Sequence, residues 1–401
     1  MLTFRPARPS DLDALLEIHL AAFPDPRGLE ARRRNFVDNP LGSFDDLHVA
    51  AEDDVPVAHA FAFPLTTHYG GRPVRTLGIA SVGVAPHARG VGVAKALLQH
   101  LHEFGRARHD AIAMLYAFRQ GFYARVGYAA ASSRKRLVFA PAAIPRSFVT
   151  GDFRMRPATF ADRGALESLF AEMLDRVSGR FTRDSRAWDR RLLDERRLFA
   201  LADDGTSPKG YVAYSLVQTE AHAETTLVVE ELVATSDASE RALLGFLRNF
   251  RDQATSVTLE IDERSPLDRL LVDAARHRHG TESFEHTVGA IGAGPMVHVL
   301  DAEAALSARG YLADGTLDFV VDGRRFGLVV ERGRGRVTSG DASSAGSSAL
   351  AMDGPTFSAI TFGSLAVRDA ARFGLVQGPV GILPEADRIL GLPPVHALET
   401  F

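Results

Sequence analysis

Residues Gly78 to Leu98 read GIASVGVAPHARGVGVAKALL, and the fold turns on how this run is parsed. Its opening, Gly78–Val84, is small and branched and lies within a longer apolar run, Arg75–Ala85, that reads as a strand. From Val93 to Phe104 the apolar residues Val93, Ala96, Leu97, Leu101 and Phe104 fall at helical spacing. Arg89-Gly90-Val91-Gly92-Val93-Ala94 joins strand to helix. With so little side chain there, consecutive backbone N–H groups can face outward at a helix N-terminus, where the dipole favours an anion. Taken alone, such a turn is equally the plain corner of a strand–helix unit. It is not a Walker loop, because no Lys-Ser/Thr follows. It is not a dinucleotide fingerprint either, because the third glycine and the downstream ribose acid are missing.

Upstream, His48–Ala51 and Val55–Phe63 read as further strands, with Asp53-Asp54 and Gly70-Gly71 as turns. The segment from Phe4 to Leu16, FRPARPSDLDALL, is echoed from Met155 to Glu167 as MRPATFADRGALE. In each copy a short strand enters an Arg-Pro-Ala bend, and Asp11 or Asp162 precedes an apolar-periodic helix, where a negative charge favours the dipole. The second copy continues alike: a hairpin, Leu198–Ala202 and Gly210–Val217 around Asp203-Asp204-Gly205, then a strand Thr225–Ala234, then a helix carrying Leu243, Leu244 and Leu247. Its strand–helix connection, ATSDASERALL, is shorter and has lost the glycines.

Gly289–Pro295 reads as a linker into a third region without a third repeat. That region opens with a strand Met296–Leu300 and a helix capped by Asp301. Strands Leu317–Val321, Arg325–Val330 and Arg336–Thr338 follow, with a loop at Ser339–Ser348. The expected organisation is α+β with mixed central sheets and domains at 1–150, 151–290 and 291–401.

A chain of 401 residues has room for two or three cores. The formal charge of −4, with acids and bases interspersed, offers no basic field for a phosphate backbone, so nucleic acid is not an expected partner. No cysteine is present, which removes disulfides, thiolate metal sites and a cysteine nucleophile. The first residues interrupt their apolar run with Arg5, Arg8, Asp11, Asp13 and Glu17, unlike a signal peptide, and nothing later is apolar enough to span a membrane. A cytoplasmic protein without membrane or metal is the expectation.

The turn resembles the pyrophosphate loop of the Gcn5-related N-acetyltransferases (GNAT), whose Arg/Gln-x-x-Gly-x-Gly/Ala pattern Arg89, Gly92 and Ala94 meet. A second segment, Gly121 to Tyr128 (GFYARVGY), resembles the aromatic-Tyr-x-Arg-x-Gly-aromatic stretch that in this superfamily lies beside the thioester sulfur. The layout over nearly the whole chain is similar to the Eis (enhanced intracellular survival) acetyltransferases. That resemblance implies an active first domain, a degenerate second one, a sterol-carrier-like C-terminal domain and a hexamer. It implies acetyl-CoA as cosubstrate and an amine as acceptor, on a small molecule or a lysine side chain. Val82, Gly83 and Val84 would pair with the pantetheine arm. Gly90, Val91, Gly92, Val93, Ala94 and Lys95, with Arg89, would hold the pyrophosphate, and Phe118 and Arg119 would lie along the cofactor. Tyr123 corresponds to the family's general acid, although a tyrosine there is also an ordinary core residue. The C-terminal carboxylate, here on Phe401, corresponds to its proton acceptor, although a chain end also frays by default. Asp25 matches in the substrate region, while its neighbours Pro24 and Pro26 depart from the family pattern. The reading from another class is a lipid- or small-ligand-binding protein that uses the C-terminal domain; the intact turn argues against it.

Three further signals are set aside. Arg276-His-Arg-His279 puts His277 and His279 at i, i+2, off a common helix face. Arg332–Arg336 (RGRGR) lacks interleaved aromatics and reads as a hairpin turn. His87 beside the glycine turn reads equally as an exposed loop residue.

Overall fold

The computed structural model describes residues 1–24, 28–218, 224–274, 287–339 and 349–399. Asp25, Phe401 and the Arg276–His279 cluster lie outside them.

The first copy begins with β1 (Leu2–Pro6), α1 (Leu12–Ala22) and α2 (Gly28–Val37). The Arg-Pro-Ala bend has a physical cause. Arg5 grips Asp11 with Nη1 at 2.6 Å and Nη2 at 3.2 Å, while the Asp11 carboxylate accepts from the Arg8 amide at 2.7 Å, closing a 3-10 turn into α1. Then come β2 (Leu47–Glu52), β3 (Val55–Tyr69), β4 (Arg72–Val84), α3 (Val93–Ala107), β5 (Ile112–Leu115), α4 (Gln120–Ala124) and β6 (Ala129–Ala130). The turns fall where expected, with Asp53, Asp54, Gly70 and Gly71 all at positive φ.

The second copy runs β7 (Ser133–Phe139), β8 (Arg154–Pro157), α5 (Arg163–Leu174), α6 (Ser185–Leu192), β9 (Leu198–Asp203), β10 (Pro208–Gln218), β11 (Thr225–Ala234), α7 (Asp237–Leu247), β12 (Ser256–Asp262), α8 (Leu267–Leu270) and β13 (Gly289–Ala293). Its bend repeats the first: Arg156 bonds Asp162 at 2.8 Å, and Asp162 accepts from the Thr159 amide at 2.8 Å. The expected linker at Gly289–Pro295 is thus mostly a strand. β13 pairs antiparallel with β7, and a Cβ at Gly289 would run into the Arg136 carbonyl, so glycine there permits close strand approach rather than flexibility.

The remainder is β14 (Met296–Val299), α9 (Ala302–Ala308), β15 (Gly315–Val321), β16 (Arg324–Glu331), β17 (Arg334–Ser339), β18 (Leu350–Met352), α10 (Gly354–Phe362), α11 (Val367–Arg372) and α12 (Leu383–Leu390). Asp301 caps α9 by accepting from the Ala304 amide at 3.0 Å. RGRGR is the β16–β17 hairpin, with its turn at Arg332-Gly333, both at positive φ.

Two units result, Met1–Ser132 with Ser178–Thr182 and Gly294–Phe401, and Ser133–Val177 with Arg183–Ala293. In the first, a mixed sheet runs β1-β2-β3-β4-β5-β14-β6, with β4 and β5 the parallel pair. β14 lies antiparallel between β5 and β6, from Met296 opposite Leu115 to Val299 opposite Ile112. The core under α1 and α3 is built from Leu15, Leu16, Val49, Phe61, Leu77, Leu97 and Leu101. The same unit carries a four-stranded sheet, β17-β16-β15-β18, with its own core around Phe319, Leu328, Phe357 and Ile389. Fully buried Arg309 donates to the carbonyls of Leu390 at 3.0 Å and Gly391 at 3.2 Å, and burial lowers its pKa to about 10. In the second unit the sheet runs β13-β7-β12-β11-β10-β9-β8, again mixed, with β11 and β12 parallel.

Candidate active site

Parallel β4 and β5 end on the same side of their sheet, so the segments leaving them, Ala85–Gly92 and Tyr116–Arg119, emerge together. Such carboxyl ends of parallel strands are where α/β sheets bind ligands. Three features of β4 prepare it. Its pairing with β5 covers only Thr76–Gly78, after which the strands separate and Ile79–Val84 have no described partner on the β5 side. Opposite β3 the register slips between His59–Gly83 and Phe61–Ala80, a bulge that puts Ser81 at φ +52°. A bulge of this kind re-aims the backbone and bends the strand. Beyond it, Val82 and Val84 are half-buried and Gly83 is buried, its Cα so close over the His59 ring that a Cβ would sit 2.7 Å from Nε2.

The turn that follows is open. Gly90 and Gly92 have φ of +84° and +96°, and no heavy atom comes within 4 Å of where a Cβ would stand on either. Arg89, Gly90, Gly92 and Lys95 are exposed and Val91 is 78% exposed, while Val93 is buried to anchor the helix and Ala94 is half-buried. Gly92 is the N-cap of α3, which has no side-chain cap and no acid in its first turn. The amides of that turn by construction lack internal acceptors and face outward for an anion. The Arg89 guanidinium is already engaged, donating at 3.0 Å to the Val84 carbonyl and at 3.0 Å to the Ala21 carbonyl. It braces the turn against β4 and α1, so an anion there would meet backbone first. His87 is an exposed loop residue.

After β5, Phe118 is 76% exposed and Arg119 is the exposed N-cap residue of α4. α4 turns Tyr123 inward to 3% exposure, edge-on to Phe118 at 6.0 Å and Phe122 at 5.0 Å. Burial pushes the Tyr123 phenol up to about 12, so it holds its proton throughout the physiological range. Its hydroxyl makes no hydrogen bond among the described residues. The neighbouring Tyr128 hydroxyl, in contrast, is fixed to His102 Nε2 at 2.9 Å.

One component of this region had no local sequence signal. Ser178–Thr182, between α5 and α6 in sequence, runs along the free edge of β3: His68 donates to the Arg180 carbonyl at 2.7 Å and Thr182 to the Thr66 carbonyl at 2.9 Å. The tail then pairs with it, Ser178 donating to the Pro394 carbonyl at 2.8 Å and His396 to the Ser178 carbonyl at 2.9 Å. At Glu399, the last described residue, the carbonyl accepts from the Tyr116 hydroxyl at 2.8 Å. The chain therefore returns to the first residue beyond β5.

Among the described residues no group of three or more His, Asp or Glu side chains could hold a metal ion, and no helix is long and apolar enough to cross a membrane.

The family described as Acetyltransferase (GNAT) domain matches residues 3–131, and a second family of the same description matches residues 179–289. N-acetyltransferase Eis of Mycobacterium tuberculosis is 28% identical over 287 residues, 67% of this chain and 66% of that protein's length. The GCN5-related N-acetyltransferase from Kribbella flavida is 26% identical, with a TM-score of 0.82 over 100% of this chain and 98% of its own. The GCN5-related N-acetyltransferase from Anabaena variabilis, at 21% identity, has the same fold over 100% of both chains, with a TM-score of 0.84.

Proposed function

We propose that this chain, which belongs to the GNAT N-acetyltransferases and is of the Eis type, takes acetyl from acetyl-CoA in its first unit and transfers it directly to an amine. The observation that carries the reading is the uncapped N-terminus of α3 behind two open glycines, beside a β4 edge that has parted from β5. The pyrophosphate binds the amides from Gly90 to Lys95. The pantetheine arm pairs with Val82–Val84, and Phe118 and Arg119 lie along it. Backbone amides of β4 polarise the thioester carbonyl. A neutral amine nitrogen attacks the carbonyl carbon, the C–N bond forms and the C–S bond breaks. Tyr123 donates to the departing sulfur, and the proton shed by the nitrogen passes to the Phe401 carboxylate directly or through water. Asp25 contributes to binding the amine substrate. No covalent intermediate on the protein is required.

The Eis resemblance carries three further parts of the proposal. The region of β15 to α12, with its separate sheet and core, serves as a sterol-carrier-like module. The protein assembles as a homohexamer. It works in the cytoplasm.

The deciding experiment presents acetyl-CoA with a panel of aminoglycosides, polyamines and lysine peptides and measures thiol release. Release above spontaneous hydrolysis that depends on one of these amines is the expected result, with the acetylated product seen by mass spectrometry. Background release across the panel would overturn the reading.

A further inference from the structure

Arg180 and Glu399 form a buried, bidentate ion pair far apart in sequence. Arg180 is 2% exposed and the Glu399 side chain 9%. Nε of Arg180 lies 2.8 Å from each carboxylate oxygen and Nη2 lies 2.7 Å from Oε1. Taking two charges out of water gives little net stability, so such a pair is weak as a mere staple and better suited to fixing geometry. Here it completes a three-part grip on a segment that would otherwise fray. Ser178 pairs with the main chain at Pro394 and His396, Tyr116 takes the Glu399 carbonyl, and Arg180 takes the Glu399 side chain. Val395 and Ala397 are buried beneath it. Chain geometry lets two further residues reach no more than about 7 Å. Whatever fixes Glu399 therefore bounds where the terminal carboxylate can be.

We propose that Arg180 is a positioning residue: by holding Glu399 against Tyr116, the first residue beyond β5, it limits how far the last two residues can reach, so that the Phe401 carboxylate can accept the proton of the amine. The inference rests on the reading of Phe401 as proton acceptor. In this role Arg180 acts through Glu399. A segment within the second acetyltransferase match thereby supplies a part that the first one's chemistry needs.

The test compares Arg180→Met, Glu399→Gln, the exchange Arg180→Glu with Glu399→Arg, deletion of Phe401, and that deletion combined with Arg180→Met. Arg180→Met should lower kcat at least tenfold with KM for acetyl-CoA within twofold, and should add nothing to the deletion. The exchange should recover kcat at least threefold over Arg180→Met. Independently of any amine, carboxypeptidase should stop at Glu399 in the native protein and run on toward Pro394 in Arg180→Met. Native kcat in Arg180→Met, with kcat lost on deletion of Phe401, would overturn the positioning role and leave the acceptor standing. Native kcat on deletion of Phe401 would overturn the acceptor and the positioning role together. Equal trimming of both proteins would overturn the clamp. If Arg180→Met melts far below the native protein, Glu399→Gln and the exchange decide on the same criteria.

Discussion

Replacing Gly92 by Asp is expected to leave the fold standing while weakening acetyl-CoA binding at least about 20-fold. No heavy atom lies within 4 Å of the added Cβ, so the substitution meets no clash. The remaining structural cost is backbone: φ of +96° is the left-handed side, worth about 1–2 kcal/mol for an ordinary residue and least for Asp and Asn. A domain of ordinary stability survives that. The ligand fares differently. A carboxylate roughly 5 Å from each of two pyrophosphate charges adds ~2 kcal/mol of repulsion in a water-like medium and ~7 kcal/mol at an effective dielectric of 20. The affinity should fall between about 20-fold and about 10⁵-fold. The new carboxylate also sits where the amides of α3 would receive it in the anion's place. Titration calorimetry with acetyl-CoA measures the loss. Thermal shift complements it, since acetyl-CoA at 100 times the native Kd should add about 2.7 kcal/mol to the native protein and no more than about 1 kcal/mol to the variant. Gly92→Asn, with similar backbone strain and no charge, separates geometry from electrostatics. Native affinity in the folded Asp variant would refute the assignment of the turn.

Tyr123→Phe should cut turnover about 10²- to 10⁴-fold with acetyl-CoA affinity and melting temperature nearly unchanged, because the lost hydroxyl holds nothing in the fold; native turnover would exclude the phenol as proton donor. Titration should find one acetyl-CoA per chain, and two would mean that the second copy still binds. Burial pushes His59 and His102 down to about 3 and His48 and His298 down to about 4. These rings are neutral in the fold and become charged on unfolding below the ordinary value of about 6.5. Above that value they contribute no pH dependence, and as pH falls toward 4 each subtracts up to about 1.4 kcal/mol per pH unit. Urea unfolding at pH 7.5, 6 and 5 should show stability falling with acidity, and a flat profile would show that the rings are not buried neutral.

What the sequence made legible was local. Most strand ends are legible to within a few residues because alternation and turn chemistry are written in neighbouring positions, with Asp53-Asp54 and Gly70-Gly71 each closing a hairpin, although β3 runs past the expected Phe63 to Tyr69. The repeat was legible for the same reason, since Arg5 with Asp11 and Arg156 with Asp162 close the same bend over six residues. Partnership at a distance was not. Nothing in MVHV says that β14 inserts between β5 and β6, and nothing in SGRFT says that it follows β3 and receives the chain's tail. The glycines of Gly289–Pro295 suggest a linker, whereas the segment forms β13 and Gly289 serves the close approach of β7. At the site, the glycine turn and Tyr123 were legible as motifs. Tyr116, Arg180 and Glu399 were not, because each is an ordinary residue until the fold joins them.

The two copies differ where chemistry would differ, and the difference is physical rather than a matter of resemblance. In the first, eight residues (85–92) separate β4 from α3, room enough for a turn that arrives at the helix with glycine at its cap. In the second, only Thr235 and Ser236 separate β11 from α7. Ser236 caps that helix itself, its Oγ accepting from the Ser239 amide at 3.2 Å, so a donor that α3 leaves open is already satisfied. Asp237 and Glu240 occupy the first turn of α7, where their charge suits the dipole and repels a phosphate. Thr235 is tied down as well, its hydroxyl donating to the Lys209 carbonyl at 3.0 Å and its carbonyl taken by Arg176. A helix start capped by a serine side chain is the more stable one in isolation, by roughly 0.3 kcal/mol over a glycine cap. Leaving α3 without a side-chain cap forgoes that stabilisation and keeps its first amides open to an outside acceptor, as the proposed pyrophosphate site requires. The second copy has closed its helix start and kept the sheet.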